Sequence, residues 1–303
     1  MKNVLRLHAF ALLSLSAAYA PIAQASMGKL VLTGGISSAE GTAGGGITPW
    51  AMIGTQATEK ELGFAANLSY GHTDDYRIET ASVMAGWHER VEFSLAHQTL
   101  DTGITGRTLV GPQGLDLKQT IVGAKVRLFG DAILDADSLM PAVSVGVQHK
   151  RLDAGELSPT LRSLDASNTG TDVYVSATKL FLKPGLLVNA TLRATKANQN
   201  GFLGFGGNAN DDYELMSEFS VAKLIRSDLA VGMEYRFMPN NLRLDTPNGN
   251  GLAADSWKDL FIAWAPSKNL SLTAAYVDFG RIVPATTQGR DQTGFYVSAQ
   301  LTF

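Results

Sequence analysis

The sequence predicts an all-β fold, a transmembrane antiparallel up-and-down β-barrel. Three observations carry that reading: apolar and polar residues alternate in segment after segment, short and long connections alternate between the segments, and aromatic residues gather at the segment ends. The final segment is the clearest. Phe295, Val297, Ala299, Leu301 and Phe303 alternate with Gly294, Tyr296, Ser298, Gln300 and Thr302, which gives a strand with one apolar side.

The first 25 residues read as an export signal. Lys2 and Arg6 make a positive start, Ala9 to Ala18 is a short apolar stretch, and Ala23-Gln24-Ala25 is a small-x-small cleavage site. The mature chain is expected to begin at Ser26, with residues 26–303 forming a single barrel domain. No later run approaches the roughly 18 uninterrupted apolar residues of a membrane helix, so spanning falls to strands. Loss of the signal removes two basic residues and no acid, moving the net charge from −3 to −5. That balance argues against a nucleic-acid partner. The absence of cysteine excludes disulfides and thiolate metal sites.

Alternation and turn chemistry give fourteen candidate strands in order: 29–36, 44–56, 61–70, 76–86, 89–99, 116–129, 139–150, 171–181, 186–197, 212–225, 229–238, 256–265, 269–279 and 292–303. The first two are the least regular. Thr33 to Gly46 is rich in Gly, Ser and Ala, with Gly34-Gly35 and Gly44-Gly45-Gly46 ahead of Pro49 and Trp50. Such a stretch suits either a sharply bent strand pair or a segment folded inside the lumen. The expectation is therefore fourteen strands in the wall, with twelve plus an internal N-terminal segment as the alternative; the number is even in both cases.

From the third strand onward the connections set the orientation. Trp87-His88, Leu182 to Gly185, Arg226 to Asp228 and Pro266 to Lys268 are tight, whereas 100–115, 151–170, 198–211, 239–255 and 280–291 are long. Gly71 to Asp75 is short for an outer loop, and 130–138 is extended for a turn. Short turns on one side and long loops on the other are the asymmetry of outer-membrane barrels. On that frame Trp87, Phe129, Phe181, Trp264 and Phe303 form a belt at the short-turn side, and Tyr70, Tyr76, Tyr213, Phe237 and Phe279 one at the long-loop side.

Between the belts the strand faces differ in chemistry. Leu229, Val231, Met233 and Tyr235 form one outward stripe, Leu186, Val188, Ala190 and Leu192 another, and Val122, Ala124 and Val126 a third. The opposite faces carry Glu92, Lys125, Arg127, Asn189, Arg193, Glu214, Glu218, Glu234, Arg236 and Asp259, which should line the lumen. A charge on the lipid face at the bilayer midplane costs roughly 2–4 kcal/mol. Opposite signs fall on adjacent strands, which suits cross-strand bracing ahead of a charged ring that selects a solute.

Several stretches resemble a family of proteobacterial outer-membrane proteins catalogued as a domain of unknown function. They are Gly28 to Gly35 with Gly44 to Trp50, Leu192 to Asn200, Glu234 to Arg236 through Pro239 to Leu242, and Ala263 to Asn269. The resemblance implies a surface barrel in the bacterial outer membrane, among lipid and lipopolysaccharide. The last strand also resembles the closing strand of such barrels, which the barrel-assembly machinery reads; Phe295, Leu301 and Phe303 would carry that signal. No functional residue is implied.

The search for chemistry returns no Gly-x-Ser-x-Gly, no His-Glu-x-x-His and no phosphate loop. His72 with Asp74 and Asp75, and Asp211 with Asp212, lie at outer loops, where Asp more simply serves turns. The expectation is a protein that is not an enzyme and needs no cofactor or metal. One loop stands apart: Gly201 to Gly207 is apolar where water is expected, so Phe202, Leu203 and Phe205 are read as a lip over the barrel mouth. The functional expectation is a channel or facilitator for small solutes. The alternatives are a plugged barrel that binds envelope polysaccharide or adheres through its outer loops, and a rim-located barrel enzyme.

Overall fold

The computed structural model describes Leu32, residues 35–56, Thr58 and residues 60–131 and 139–303. The expected signal segment 1–25 and most of the first expected strand, 29–36, lie outside the described residues, as does most of the connection 130–138.

Twelve strands form a closed antiparallel barrel in sequence order. They are β1 (Leu62–Thr73), β2 (Arg77–Trp87), β3 (Val91–Asp101), β4 (Asp116–Phe129), β5 (Ala142–Asp153), β6 (Thr169–Phe181), β7 (Leu186–Thr195), β8 (Glu214–Arg226), β9 (Leu229–Arg236), β10 (Trp257–Trp264), β11 (Leu270–Asp278) and β12 (Thr293–Thr302). The ring closes where β12 pairs with β1, Val297 opposite Tyr70 and Thr302 opposite Ala65. Phe303 extends this seam: its N–H donates to the Phe64 carbonyl at 2.7 Å and its carbonyl accepts from the Phe64 N–H at 2.8 Å. Closure satisfies the strand-edge groups, as a hydrocarbon surrounding requires.

The alternation fixes which side meets which solvent. In β10, Leu260 and Ile262 point outward and are 58% and 44% exposed, while Asp259 and Phe261, which alternate with them, are buried inside. Val122, Val126, Val188, Leu192, Val231 and Met233 are likewise exposed on the outer surface. The short-turn belt stands as read, with Trp87, Phe129, Phe181, Trp264 and Phe303 all exposed. In the long-loop belt Tyr213 and Phe237 are exposed, but Tyr76 turns inward, is 6% exposed and hydrogen-bonds Thr105 at 2.7 Å.

The favoured count of fourteen strands is corrected to twelve. Residues of the second expected strand, 44–56, lie inside the lumen instead of in the wall. Their burial is continuous where a wall strand would alternate: Thr48, Trp50, Ala51, Met52 and Ile53 are all buried. Pro49 lacks the N–H that a wall ladder needs. The segment's own pairing is a two-residue ladder, Ile36–Ser37 against Ala43–Gly44. Gly41, at φ +86°, makes its tight bend possible; a Cβ there would sit 2.8 Å from that of Ala96 on β3.

This arrangement predicts a lipid-facing surface on β10. Leu260→Lys should lower the temperature at which the folded band converts to the slower, boiled form in heat-modifiable electrophoresis. Near the midplane the cost is roughly 2–4 kcal/mol.

Candidate functional site

The lumen is held by charges that meet from three sources. Glu40, the one charge in the Thr33 to Gly46 stretch, accepts ion pairs from Lys150 at 2.5 Å, Arg193 at 3.0 Å and Arg236 at 3.1 Å. Asp172 on β6 takes Lys150 at 2.8 Å and Arg193 at 3.2 Å. Glu218 on β8 takes Arg193 at 2.5 Å and Arg236 at 3.5 Å. Three carboxylates thus face three cations, and every member is buried. Asn200, from the loop after β7, completes the set: its Oδ1 accepts from Lys150 at 3.0 Å and from Arg236 at 3.1 Å. Wall, internal segment and outer loop therefore share one network.

A second anchor lies between β3 and β4. Glu92 pairs with Lys125 at 3.1 Å and accepts from Thr42 Oγ1 and from the Ala43 and Gly54 N–H groups at 2.7–3.0 Å. Lys125 in turn donates to the Ala43 and Trp50 carbonyls. Elsewhere the segment's backbone is matched to wall hydroxyls and amides. The Pro49 carbonyl accepts from Thr191 at 2.8 Å, the Ala51 N–H donates to Thr178 Oγ1 at 2.8 Å, and Trp50 Nε1 donates to Ser220 at 3.0 Å. Buried backbone groups without a ladder need such partners.

The outer mouth is covered. Phe202, Leu203 and Phe205 are 4%, 8% and 2% exposed and pack with Leu117, Leu157, Leu161, Leu242 and Val283 from the other loops and strand ends. The expected lip is thus folded inward as the centre of an apolar cap. Gln199 and Asn200, at φ 42° and 61°, make the turn that aims this loop down, and Gln199 Nε2 donates to the Leu252 and Ile282 carbonyls of two neighbouring loops. Those two loops are also clasped by Arg281, whose guanidinium makes a two-pronged bond to Asp255 at 2.7 and 2.8 Å. That bond holds the Asp255 carboxyl below its ordinary range against the smaller opposing effect of burial. Between cap and internal segment lies a cavity of about 100 Å³.

All ten lumen residues read from the sequence fall on the inner face, but in different roles. Glu92 pairs with Lys125, and Glu218 bridges Arg193 and Arg236, as the adjacent-strand signs suggested. Arg127 sits at the short-turn rim, where it approaches Glu89 and Asp131 instead. Glu214 sits at the mouth and accepts from Asn210 at 3.0 Å. Glu234 and Asp259 face each other across β9 and β10. The rim acids serve the loops: Asp75 binds Arg290 at 3.0 Å, Asp74 lies 3.3 Å from Thr293, and Asp211 pairs with Lys196 at 3.2 Å. Sequence reasoning missed Glu40, Lys150 and Asp172. The isolated charge of Glu40 among small residues was the available signal.

An apolar outer surface, a sheet closed on itself and a charged interior filled by the chain's own N-terminal region define a plugged transmembrane β-barrel of the outer-membrane type. Within that class, the chain belongs to the family described as Protein of unknown function (DUF3034), whose model matches residues 33–300. A comparison with curated proteins finds no match. Among solved structures, the KdgM porin is 10% identical with a TM-score of 0.49, covering 79% of this chain and 99% of that one. The NanC porin is 11% identical with a TM-score of 0.49, covering 78% and 98%. The outer membrane phospholipase A from Escherichia coli is 9% identical with a TM-score of 0.42, covering 78% and 92%.

Two measurements follow from this geometry. Arg193→Met leaves three carboxylates facing two cations; breaking a buried pair costs about 3–5 kcal/mol, so its thermal conversion should fall well below that of the unaltered barrel. Asp211→Asn, on an exposed pair, should leave the conversion unchanged. The Asp255 clasp, with its carboxyl depressed in the folded protein, is complete above the ordinary aspartate range near roughly pH 4 and is lost as pH falls through the lower folded value. Amide exchange in residues 253–256 should therefore be equally slow, after correction for intrinsic rate, at pH 7 and 5 and should accelerate only below that range.

Proposed function

We propose that this protein is an outer-membrane conduit for small solutes whose resting form is closed by its own N-terminal segment. One observation carries the reading. The inner face of the wall carries a buried band of charges, amides and hydroxyls, and residues 35–56 meet that band through side-chain hydrogen bonds and ion pairs instead of a β ladder, beside an apolar contact of Trp50, Ala51 and Met52 with Leu180, Leu187 and Phe261. Contacts of that kind exchange with water or solute when the segment shifts, whereas an additional wall strand could leave only by breaking the sheet. A polar inner wall is what a water-filled passage needs. The surroundings on this reading are outer-membrane lipid and lipopolysaccharide, with insertion by the barrel-assembly machinery through the strand that bears Phe295, Leu301 and Phe303. The engagement of Asp74, Asp75 and Asp211 within the loops supports a protein that is not an enzyme.

The apolar cap around Phe202 and Phe205 favours a second reading, a permanently closed anchor whose outer loops bind a surface partner. Planar-bilayer recording separates the two. The full protein should show infrequent stepwise openings, and Glu40→Gln, which loosens the segment, should raise their frequency at least tenfold. Silence of both proteins would overturn the conduit and leave the anchor.

A further inference from the structure

Asp259 lines the cavity beneath the cap, and among the described residues neither it nor its neighbour Glu234 forms an ion pair with a Lys or Arg. Glu234 and Asp259 lie directly opposite each other on β9 and β10 and are 3% and 5% exposed. Glu234 accepts from the Ile47 N–H at 2.9 Å and from Ser220 at 2.8 Å, as well as from Thr48. Asp259 is less well served: its Oδ1 has no hydrogen-bond partner among the described residues. Four other buried lumen carboxylates, Glu40, Glu92, Asp172 and Glu218, each have a Lys or Arg within 3.5 Å. The plug backbone presses on both acids from one side, since a Cβ at Gly46 would lie 3.2 Å from Asp259 Oδ2 and 3.4 Å from Glu234 Oε2. Asp259 also lines the cavity of about 100 Å³, together with Trp257, Tyr296, Val277, Phe202 and Leu203.

From this we propose that the chamber is a binding site for a small protonated organic amine with an apolar body. A buried carboxylate is offset by a positive partner or by a proton, and among the described residues no Lys or Arg pairs with these two. Leu100, Leu117, Val277, Phe202 and Leu203 give the lining apolar surface for a hydrocarbon body, and Trp257 and Tyr296 add aromatic rings, a residue type that attracts cations. An apolar cavity of roughly 150 Å³ takes benzene, so this chamber fits a body of about four or five heavy atoms. The inference extends the conduit reading by naming what occupies it. Its test reads binding in detergent and not flux, so failure of either leaves the other standing.

The test is calorimetric titration of the full, detergent-solubilised protein with n-butylamine hydrochloride and with 1-butanol at neutral pH and fixed ionic strength. The amine should bind at least tenfold more tightly than the alcohol, and Asp259→Asn should weaken the amine at least tenfold while leaving the alcohol unchanged. Leu203→Trp fills the chamber from its roof and should remove binding of both, which keeps the test available if the Asp259 variant does not fold. Equal affinity for amine and alcohol, no binding of either, or amine binding unaltered in the variants that fold would overturn the site. A proton shared by the two acids would then be the charge that offsets them.

Discussion

The constraint on which everything else rests is that buried charge must be neutralised inside a ring that hydrocarbon surrounds. Strand closure confines the charged side chains to the lumen, and the lumen walls cannot neutralise themselves evenly. Among Lys150, Arg193, Arg236, Asp172 and Glu218 the wall is one negative charge short. Glu40 supplies it from the internal segment. Once that carboxylate is seated, the position of the glycine-rich turn around it follows, and with it the contacts of Pro49, Trp50 and Ala51 with the wall hydroxyls. Asn200 bonds to two of the same cations, so the cap above is tied to the same point.

Much of this was legible in the sequence. Strands β1 to β12 are visible because lipid on one side and polar groups on the other impose a period of two, and the alternating connection lengths survive in 102–115 and 196–213 as they do in the tight Arg226 to Asp228 turn. The inner face is legible for the same reason. The internal segment was harder to place, since glycine and alanine carry no period and the two architectures differ only in whether residues 44–56 pair with a neighbour. Pro49 and the consecutive burial of polar and apolar residues decide the matter in three dimensions. Lys150 and Asp172 were overlooked because each falls at the edge of an expected strand, where face assignment is weakest. The inward turn of Tyr76 reflects a contact with Thr105 that no local pattern announces.

The interior holds regions of different chemistry, one of them the apolar contact of Trp50, Ala51 and Met52 with Leu180, Leu187 and Phe261. Around Glu40 and Glu92 the internal segment and wall are joined by matched charge and hydrogen bonds. Above them the cap encloses a chamber walled by Trp257, Val277, Phe202 and Leu203, with Asp259 at its edge. Ala39, Gly46 and Ile47 of the segment thus contribute to the lining of a largely apolar room. The same loop that lends Asn200 to the lower region lends Phe202 and Leu203 to the upper one, so a shift of this loop would alter both together.

The placement of residues 35–56 also bears on how the ring is made. This segment runs directly into β1, and β1 is the strand onto which β12 zips to complete the circle. A completed hoop offers no sideways entrance, so the stretch either lies within the curling sheet before the seam shuts or threads in afterwards through an open end. Early placement would let Glu40 gather Lys150, Arg193 and Arg236 while the sheet is still an open trough, making the insert a mandrel around which the cylinder is rolled.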